Sequence, residues 1–257
     1  MVQSAHPYTD TFYQKRSSWK SDYRKIADWI NKNIPSLTYG DIGCGNGLIV
    51  SRLSHLDRKV WGIDQYIPRT RIDSVVRTQV KKVDLTTSVS LPQCETAICF
   101  DVVDRIDVNQ ADVLLGNIIS TNAQTIIISA SGPGEAGIHH INLQPKTYWI
   151  KKLSKRGYFL DIVLTHKFKQ DLSKSITHLT WYATDTMIFR KFSKQTMEEA
   201  YSLADQALDD AEDRYEILQQ RYNQMQEEYY HTAQRLNSIL QSSRWKVTNK
   251  ILKVIGK

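Results

Sequence analysis

The sequence contains no long apolar run. No stretch approaches the roughly 18 consecutive apolar residues of a membrane-spanning helix, although 41% of the 257 residues are hydrophobic. The N-terminal stretch MVQSAHPYTDTFYQKRSSWK lacks the apolar core of a secretory signal. Cysteine is also scarce, and the three cysteines have no metal-ligand spacing. We therefore expect a cytoplasmic protein with free thiols, and we name no metal ligand.

Acidic and basic residues are unevenly distributed, although the net charge is +7. Residues 198–240 contain ten acids and three arginines, whereas residues 241–257 contain five bases and no acid. Charge and helix or strand pattern together predict four segments. They are an N-terminal helical segment over 1–34 that would act as a lid or bind substrate, an α/β domain over 35–192, a coiled coil over 193–240, and a cationic amphipathic helix over 241–257.

Strand-like and helix-like segments alternate after residue 34. SLTYGDI, KVWGID, VKKVDL, TAICFD and TIIISA suit strands, and LIVSRLSHL and VNQADVLLGNIIST between them suit helices. This alternation predicts an α/β layer with a parallel sheet. A further helix is predicted over residues 144–157, ending at Gly157. After it, YFLDIVLTHKF and ITHLTWYATDTMIFRKF have the composition of two extended stretches with no helix between them, which predicts an antiparallel hairpin at the sheet edge.

Alternating glycines follow the first predicted strand, in YGDIGCGNG over residues 39–47. Gly43, Gly45 and Gly47 allow a sharp turn and a close approach of the backbone to a ligand. The helix that follows points its N–H groups at the same place. The third glycine comes one residue too early for the G-x-G-x-x-G loop of dinucleotide-binding proteins. Asp41 would repel a pyrophosphate and attract a ligand with a cationic amino-acid end.

The pattern D-x-G-x-G-x-G resembles motif I of class I S-adenosylmethionine (SAM)-dependent methyltransferases, which have a seven-stranded Rossmann-like sheet. The resemblance covers residues 35–192 and implies SAM as cofactor. It implies that Asp64, at the end of the second strand, holds the ribose hydroxyls, and that Asp84 accepts from the adenine amino group. The fourth strand is similar to the family's substrate-side strand, which flanks the cofactor. The resemblance thus implies these cofactor-binding residues: Asp41, Gly43, Cys44, Gly45, Gly47, Asp64, Gln65, Asp84, Leu85, Asp101 and Val102.

The segment after the fifth strand resembles the acceptor-side loop of a subgroup of bacterial and phage methyltransferases. The matching residues are His140, Asn142, Gln144, Pro145, Tyr148, Trp149 and Ile150. His139 stands where the subgroup has glycine. A sugar hydroxyl is a poor nucleophile, and a neutral histidine near pH 7 can accept its proton. We interpret His140 as the catalytic base and His139 as the alternative; the competing interpretation gives His140 a structural role in the loop.

Apolar and tyrosine side chains recur at alternating spacings of four and three residues between Met197 and Ile239. The run lasts about six heptads without proline or glycine, which is typical of a coiled coil. It would join copies of this chain or a partner enzyme. The competing interpretation is a long helix packed on its own domain. Tyrosine and alanine at core positions do not select a dimer over a trimer.

The last 17 residues predict a helix with two different faces. Four lysines fall within roughly 60° of one another at 100° per residue: Lys246, Lys250, Lys253 and Lys257. Apolar residues occupy the opposite side: Trp245, Val247, Ile251, Leu252, Val254 and Ile255. Such a helix suits an anionic membrane surface, and docking on a protein is the alternative. The tail also resembles those that follow coiled coils in bacterial polysaccharide enzymes, with matches at Trp245, Thr248 and Leu252.

Together these observations predict an O-methyltransferase that modifies a sugar hydroxyl in surface polysaccharide or lipid-linked glycan biosynthesis, at the inner face of the cell membrane. One alternative is a soluble methyltransferase for RNA or a small metabolite. The basic core permits RNA, but FDVVDRI after the fourth predicted strand lacks an N-P-P-Y-like amino-methylation motif. The other alternative is a non-catalytic scaffold in a polysaccharide assembly complex. The intact Asp41, Gly43, Gly45 and Asp64 argue against the scaffold.

Overall fold

The computed structural model of the protein describes residues 8–68, 76–135, 137–192, 194–242 and 246–251. Residue contacts divide the chain into two units, one ending at residue 193 and the other beginning at Lys194. The first unit contains every strand of the described ranges, and the second is helical where it is described.

Seven strands form one sheet in the first unit. They are β1 (Thr38–Ile42), β2 (Lys59–Asp64), β3 (Val80–Lys82), β4 (Thr96–Cys99), β5 (Thr125–Ser129), β6 (Tyr158–Leu160) and β7 (Thr186–Lys191). Their order is β3-β2-β1-β4-β5-β7-β6. Strands β1 to β5 pair in parallel, and β7 runs antiparallel to both β5 and β6. The predicted seven-stranded α/β sheet is confirmed. Since the strand order reverses between β1 and β4, a crevice is expected at their carboxyl ends.

Helices cover both faces of this sheet. They are α1 (Asp10–Ser18), α2 (Lys20–Asn33), α3 (Leu48–Ser54), α4 (Ala111–Ser120), α5 (Lys146–Ser154), α6 (Ile162–Ser173) and α7 (Thr180–Asp185). One buried cluster includes residues of α2, α3, α6 and α7, and the other includes residues of α4 and α5. Side chains alternate across a strand, so Ile127 of β5 joins the first cluster while Ile126 and Ile128 join the second. Burial on both faces explains the continuous apolar run TIIIS of that strand.

The predicted edge hairpin is correct in its pairing and wrong in its connection. β6 does pair antiparallel with β7, but α6 and α7 lie between them. Helix α6 begins directly after β6 because the Asp161 carboxylate accepts the N–H of Leu164 at 2.8 Å and caps the helix. Phe168 and Leu172, four residues apart, are then buried together. That spacing is helical, and the apolar composition of the segment concealed it.

The second unit contains one helix of 48 residues, α8 (Lys194–Gln241). This helix confirms the predicted long C-terminal helix, whereas its coiled-coil pairing stays a prediction. Residues 246–251 are also helical. Trp245 and residues 252–257 of the predicted amphipathic tail lie outside the described residues. Within the described ranges, no helix is long and apolar enough to cross a membrane.

Candidate functional site

A cavity of about 460 Å³ is lined by residues at the carboxyl ends of β1, β2 and β4. Nine of the predicted cofactor-binding residues line it: Asp41, Gly43, Cys44, Gly45, Asp64, Gln65, Leu85, Asp101 and Val102. Gly47 and Asp84 do not. The structure therefore brings most of the predicted set, spread over about sixty residues of sequence, to one place, as the sheet topology requires.

The glycine loop needs its glycines for both conformation and space. Gly43 has a φ of 82° and Gly45 a φ of 55°, in the left-handed region that side chains disfavour. A Cβ on Gly43 would lie 2.1 Å from Cγ2 of Val102, the residue that follows Asp101. The N–H groups of Gly43 and Cys44 donate to the Ile63 carbonyl at 2.7 and 2.9 Å. The loop is thus fixed to β2 and lies directly against the chain that follows β4.

Asp64 is the last residue of β2 and is oriented by the backbone. One carboxylate oxygen accepts the N–H of Gly45 at 2.7 Å, and the other accepts the N–H of Tyr66 at 2.7 Å. Burial raises the pKa of Asp64, and the surrounding backbone N–H groups oppose that shift. Each oxygen keeps acceptor capacity after these bonds. The carboxylate can therefore accept two further hydrogen bonds from a ligand in the cavity.

Asp41 is buried at the same cavity. Burial, and to a smaller extent the charge of Asp64, together raise the pKa of Asp41 to about 8. Asp41 and Asp64 thus lie at the same cavity, and no basic residue offsets the rise in the pKa of either group. A cationic ligand would supply the missing positive charge and favour the ionised carboxylate.

Asp84 and Gly47 have local roles outside the cavity. The exposed Asp84 carboxylate accepts the N–H and the hydroxyl of Thr86 at 2.9 and 2.7 Å, which lowers the pKa of Asp84. Its predicted contact with a cofactor stays a prediction, whereas Leu85 and Thr86 do line the cavity. Gly47, with a φ of 70°, is the N-cap of α3.

One wall of the cavity comes from helix α1, through Phe12, Tyr13 and Arg16, and from Tyr8, which lies two residues before the helix. The Tyr13 hydroxyl donates to the Tyr66 carbonyl at 2.6 Å, which joins α1 to the loop after β2. The sequence predicted that residues 1–34 act as a lid or bind substrate, but it did not single out any of these side chains. Their types are common, and the partners Tyr66 of Tyr13 and Asp101 of Arg16 lie more than fifty residues away in the sequence.

Asp101 follows β4 and is surrounded by donors. Its carboxylate accepts from Arg16 Nη2 at 2.7 Å, from the Tyr182 hydroxyl at 3.1 Å and from Trp181 Nε1 at 3.1 Å. Its own N–H donates to Ser129 Oγ at 2.8 Å. The backbone φ of Asp101 is 55°, which is unusual for a residue with a side chain. The carboxylate is therefore fixed between α1, α7 and the sheet.

A second pocket of about 260 Å³ shares Phe12, Arg16 and Arg105 with the first. Its remaining walls combine aromatic, charged and loop residues: Lys15, Trp19, Ser131, Glu135, Gly137, Ile138, His140 and Trp181. The Arg16 guanidinium lies 5.2 to 5.5 Å from the ring centres of Phe12, Trp19 and Trp181. Cations and aromatic faces thus meet where the two pockets adjoin.

The structure separates the two candidate histidines. His139 lines the first cavity, with its ring edge-on to Tyr8 at 6.3 Å, and has a φ of 58°. His140 lines the second pocket. Its Nδ1 lies 3.3 Å from the Glu135 carbonyl, and its Nε2 lies 3.7 Å from Asp104 Oδ2. Because a carbonyl can only accept, Nδ1 carries the proton of the neutral ring and Nε2 keeps its lone pair.

The loop that holds His140 is tied to the residues after β4. The N–H groups of Ile141 and Asn142 both donate to the Asp104 carbonyl at 3.0 Å. The Asn142 side chain donates to the Val103 carbonyl at 3.2 Å. Gly137 packs against the imidazole so closely that a Cβ there would lie 2.1 Å from Cε1 of His140. The predicted His140 and Asn142 thus belong to one ordered loop.

Comparisons with known proteins agree on the architecture. No protein-family model and no curated protein matches the chain. One similar solved structure is the Burkholderia thailandensis 1,6-didemethyltoxoflavin-N1-methyltransferase with bound 1,6-didemethyltoxoflavin and S-adenosylhomocysteine. It has a TM-score of 0.50 at 12% identity, over 71% of this chain and 84% of that one. A putative O-methyltransferase from Nostoc punctiforme has a TM-score of 0.50 at 14% identity, over 70% of this chain and 59% of that one. This likeness concerns the fold alone: the first unit has the class I methyltransferase fold.

Proposed function

We propose that this protein is a SAM-dependent methyltransferase. The observation that supports this most strongly is the pair of buried carboxyl groups, Asp41 and Asp64, beside the glycine loop at the switch point of the sheet. The structurally similar Burkholderia thailandensis methyltransferase was crystallised with S-adenosylhomocysteine, which supports a SAM cofactor here. SAM is cationic at its sulfonium and amino groups and has no phosphate, so it suits a site with two acids.

The residues present fit this cofactor. Asp64, already oriented by two backbone N–H groups, has acceptor capacity for the two ribose hydroxyls. Asp41 would face the cationic amino-acid end, and Leu85, Val102 and Ile106 add apolar walls that suit a purine. When bound, SAM supplies an electrophilic methyl group on a positively charged sulfur. The protein's task is then to position an acceptor and remove its proton.

We infer that the second pocket binds the acceptor and that the acceptor is a sugar hydroxyl of a surface polysaccharide or lipid-linked glycan. The pocket adjoins the cofactor cavity through Phe12, Arg16 and Arg105. Trp19 and Trp181 offer aromatic faces, against which the C–H face of a pyranose packs well. Lys15, together with the arginines, suits phosphate or carboxylate groups of such a glycan.

His140 is the proposed general base. It lies in the acceptor pocket, and its Nε2 keeps a lone pair when Nδ1 donates to the Glu135 carbonyl. The carboxyl group of Asp104, 3.7 Å away, would stabilise the imidazolium formed when the hydroxyl loses its proton. His139, on the cofactor cavity, is the alternative base.

Methyl transfer from radiolabelled SAM to a panel of acceptors tests this proposal. The panel contains lipid-linked glycans, free oligosaccharides, RNA and small metabolites. We expect label in the glycans and, in the His140→Ala variant, at least a tenfold lower turnover with unchanged SAM affinity. The His166→Ala variant, which alters an exposed histidine of α6, is the matched control. Label in RNA alone, or full turnover in the His140→Ala variant, would contradict the glycan acceptor or the base, respectively.

We also infer that the tail over 241–257 holds the enzyme at an anionic membrane. In the described part of the tail, residues 246–251, Val247 and Ile251 are more than half exposed beside Lys246 and Lys250. Flotation with vesicles containing phosphatidylglycerol tests this. We expect the full chain to float at low salt and a chain lacking residues 241–257 to stay behind. Equal flotation of both chains would contradict the role of the tail.

A further inference from the structure

Helix α8 has an exposed apolar stripe. Its members recur at spacings of four and three residues, with Thr232 completing the series. Each exposes more than half of its side chain: Tyr215, Leu218, Tyr222, Met225, Tyr229, Leu236 and Ile239. Because the repeat is seven residues, the stripe stays on one side of a gently supercoiled helix. Such a stripe is the contact surface of another helix with the same repeat.

We propose that α8 pairs with α8 of a second copy of this chain, parallel and in register. This goes beyond the methyltransferase activity and does not depend on it. A long helix with polar outer faces gains most of its stability from packing of its apolar side. A second copy matches the length and repeat of the stripe along its full extent. The charges beside the stripe then decide between the two possible orientations.

The residues that flank the stripe avoid repulsion in a parallel pair. The first flank consists of the residues immediately before Tyr215, Tyr222, Tyr229 and Leu236. These are Arg214, Arg221, Glu228 and Arg235. The second flank, on the other side of the stripe, consists of the residues immediately after Leu218, Met225, Thr232 and Ile239. These are Gln219, Gln226, Ala233 and Leu240. In a parallel, in-register pair, each residue of the first flank faces the residue five positions later in the second copy. No two like charges meet, and Arg214 and Arg221 each face a glutamine.

An antiparallel pair places the first flank against itself. With the segment 213–241 overlapping fully, Arg221 lies opposite Arg235 of the second copy, and Glu228 lies opposite Glu228 of the second copy. Each of these is a like-charge pair beside an apolar seam, which destabilises the contact. The charge pattern therefore favours the parallel orientation. That orientation brings the tails that follow Gln241 to the same end of the assembly, where two basic helices would act together on one membrane.

Light scattering on the full chain tests self-association. We expect the mass of two chains at micromolar concentration. The Leu218→Lys, Met225→Lys double variant should reduce it to the mass of one chain, since both residues lie on the stripe. The matched control is the Gln220→Lys, Gln234→Lys double variant, which adds the same charge on the outer face of α8 and should leave the mass unchanged. A monomeric wild type, or loss of assembly in both variants, would overturn the proposal.

Cysteine cross-linking tests the orientation. The three native cysteines are buried, so Met225→Cys introduces a single exposed thiol. A parallel, in-register pair places this position beside itself, and mild oxidation should cross-link most chains within minutes. A mixture of Met225→Cys and Tyr229→Cys chains reports the antiparallel pair, in which these two positions adjoin. Cross-linking of that mixture without cross-linking of either variant alone would overturn the parallel arrangement.

Discussion

Arg16 Nη2 donates to Asp101 Oδ2 at 2.7 Å, and both side chains are only 10% exposed. This ion pair joins α1, at the N-terminal end of the chain, to the residue that follows β4. It forms part of one wall of the first cavity, and Arg16 lies where this cavity adjoins the second pocket. Attachment of α1 should therefore depend strongly on this buried charge pair, alongside the Tyr13–Tyr66 hydrogen bond.

Replacing Arg16 tests that dependence. We expect Arg16→Met to cost about 3 kcal/mol of local stability, the lower end for breaking a buried pair, because Asp101 keeps Trp181 and Tyr182 as donors. Hydrogen exchange of the α1 amides should then speed up by about a hundredfold, while exchange in the strands stays unchanged. Arg24→Met, at an exposed position of α2, is the control. Unchanged α1 exchange in the Arg16→Met variant would show that other contacts hold this helix.

A second prediction concerns the glycine loop. Gly43→Ala places a side chain at a position where φ is 82°. The added Cβ would also lie 2.1 Å from Cγ2 of Val102. We expect SAM affinity to fall by roughly a hundredfold, since the loop must move. In the Gly43→Ala, Val102→Ala double variant the clash is relieved and the backbone strain remains, so affinity should recover only in part. Gly116→Ala, where a Cβ meets nothing within 4 Å, is the control and should bind SAM like wild type.

Asp41 should give the ligand-free protein a characteristic pH dependence. Burial and Asp64 raise the pKa of Asp41 to about 8, above its value of about 4 in an unfolded chain. The folded state therefore holds this proton more tightly. The resulting stability is fully present below pH 4 and is lost as the pH rises towards 8. The Tm of Asp41→Asn minus the Tm of wild type should therefore increase between pH 5 and pH 9.

Ligand binding reverses this effect of Asp41. A bound cation favours the carboxylate, so SAM should release up to ~0.9 proton from Asp41 at pH 7. Calorimetry in phosphate and in Tris buffer measures the release, and Asp41→Asn should release less than wild type by that amount. Equal proton release by the two proteins would place the cation of the ligand away from Asp41.

The features of the fold and of the candidate site that could be predicted are those encoded by short stretches of sequence. The glycine loop, Asp64 and the five parallel strands follow from short contiguous patterns, and the structure places them as expected. Asp101 was expected to flank the cofactor, but its partners Arg16 and Trp181 were not, because each lies at least 80 residues away and belongs to no motif. Helix α6 was missed because its apolar residues are also strand formers, although Asp161 gave a cap signal.

The histidine loop provides a further prediction. A Cβ at Gly137 would lie 2.3 Å from His140 Nε2, so Gly137→Ala must displace the ring. We expect this variant to lower kcat about as much as His140→Ala does, with unchanged SAM affinity. In Gly132→Ala, a change in the same loop, the Cβ meets no atom closer than 3.4 Å and activity should be kept. Wild-type kcat in the Gly137→Ala variant would favour His139, or no histidine, as the base.

The central claim is that SAM binds between Asp41, Asp64 and the glycine loop. Calorimetric titration of SAM into the full chain, wild type and Asp64→Asn, tests it most directly. The substitution keeps one acceptor oxygen for the backbone N–H of Gly45 or Tyr66 and removes the charge. We expect saturable one-to-one binding to wild type that is weakened at least tenfold in the variant. No binding to folded wild type, or equal affinity in both proteins, would contradict it.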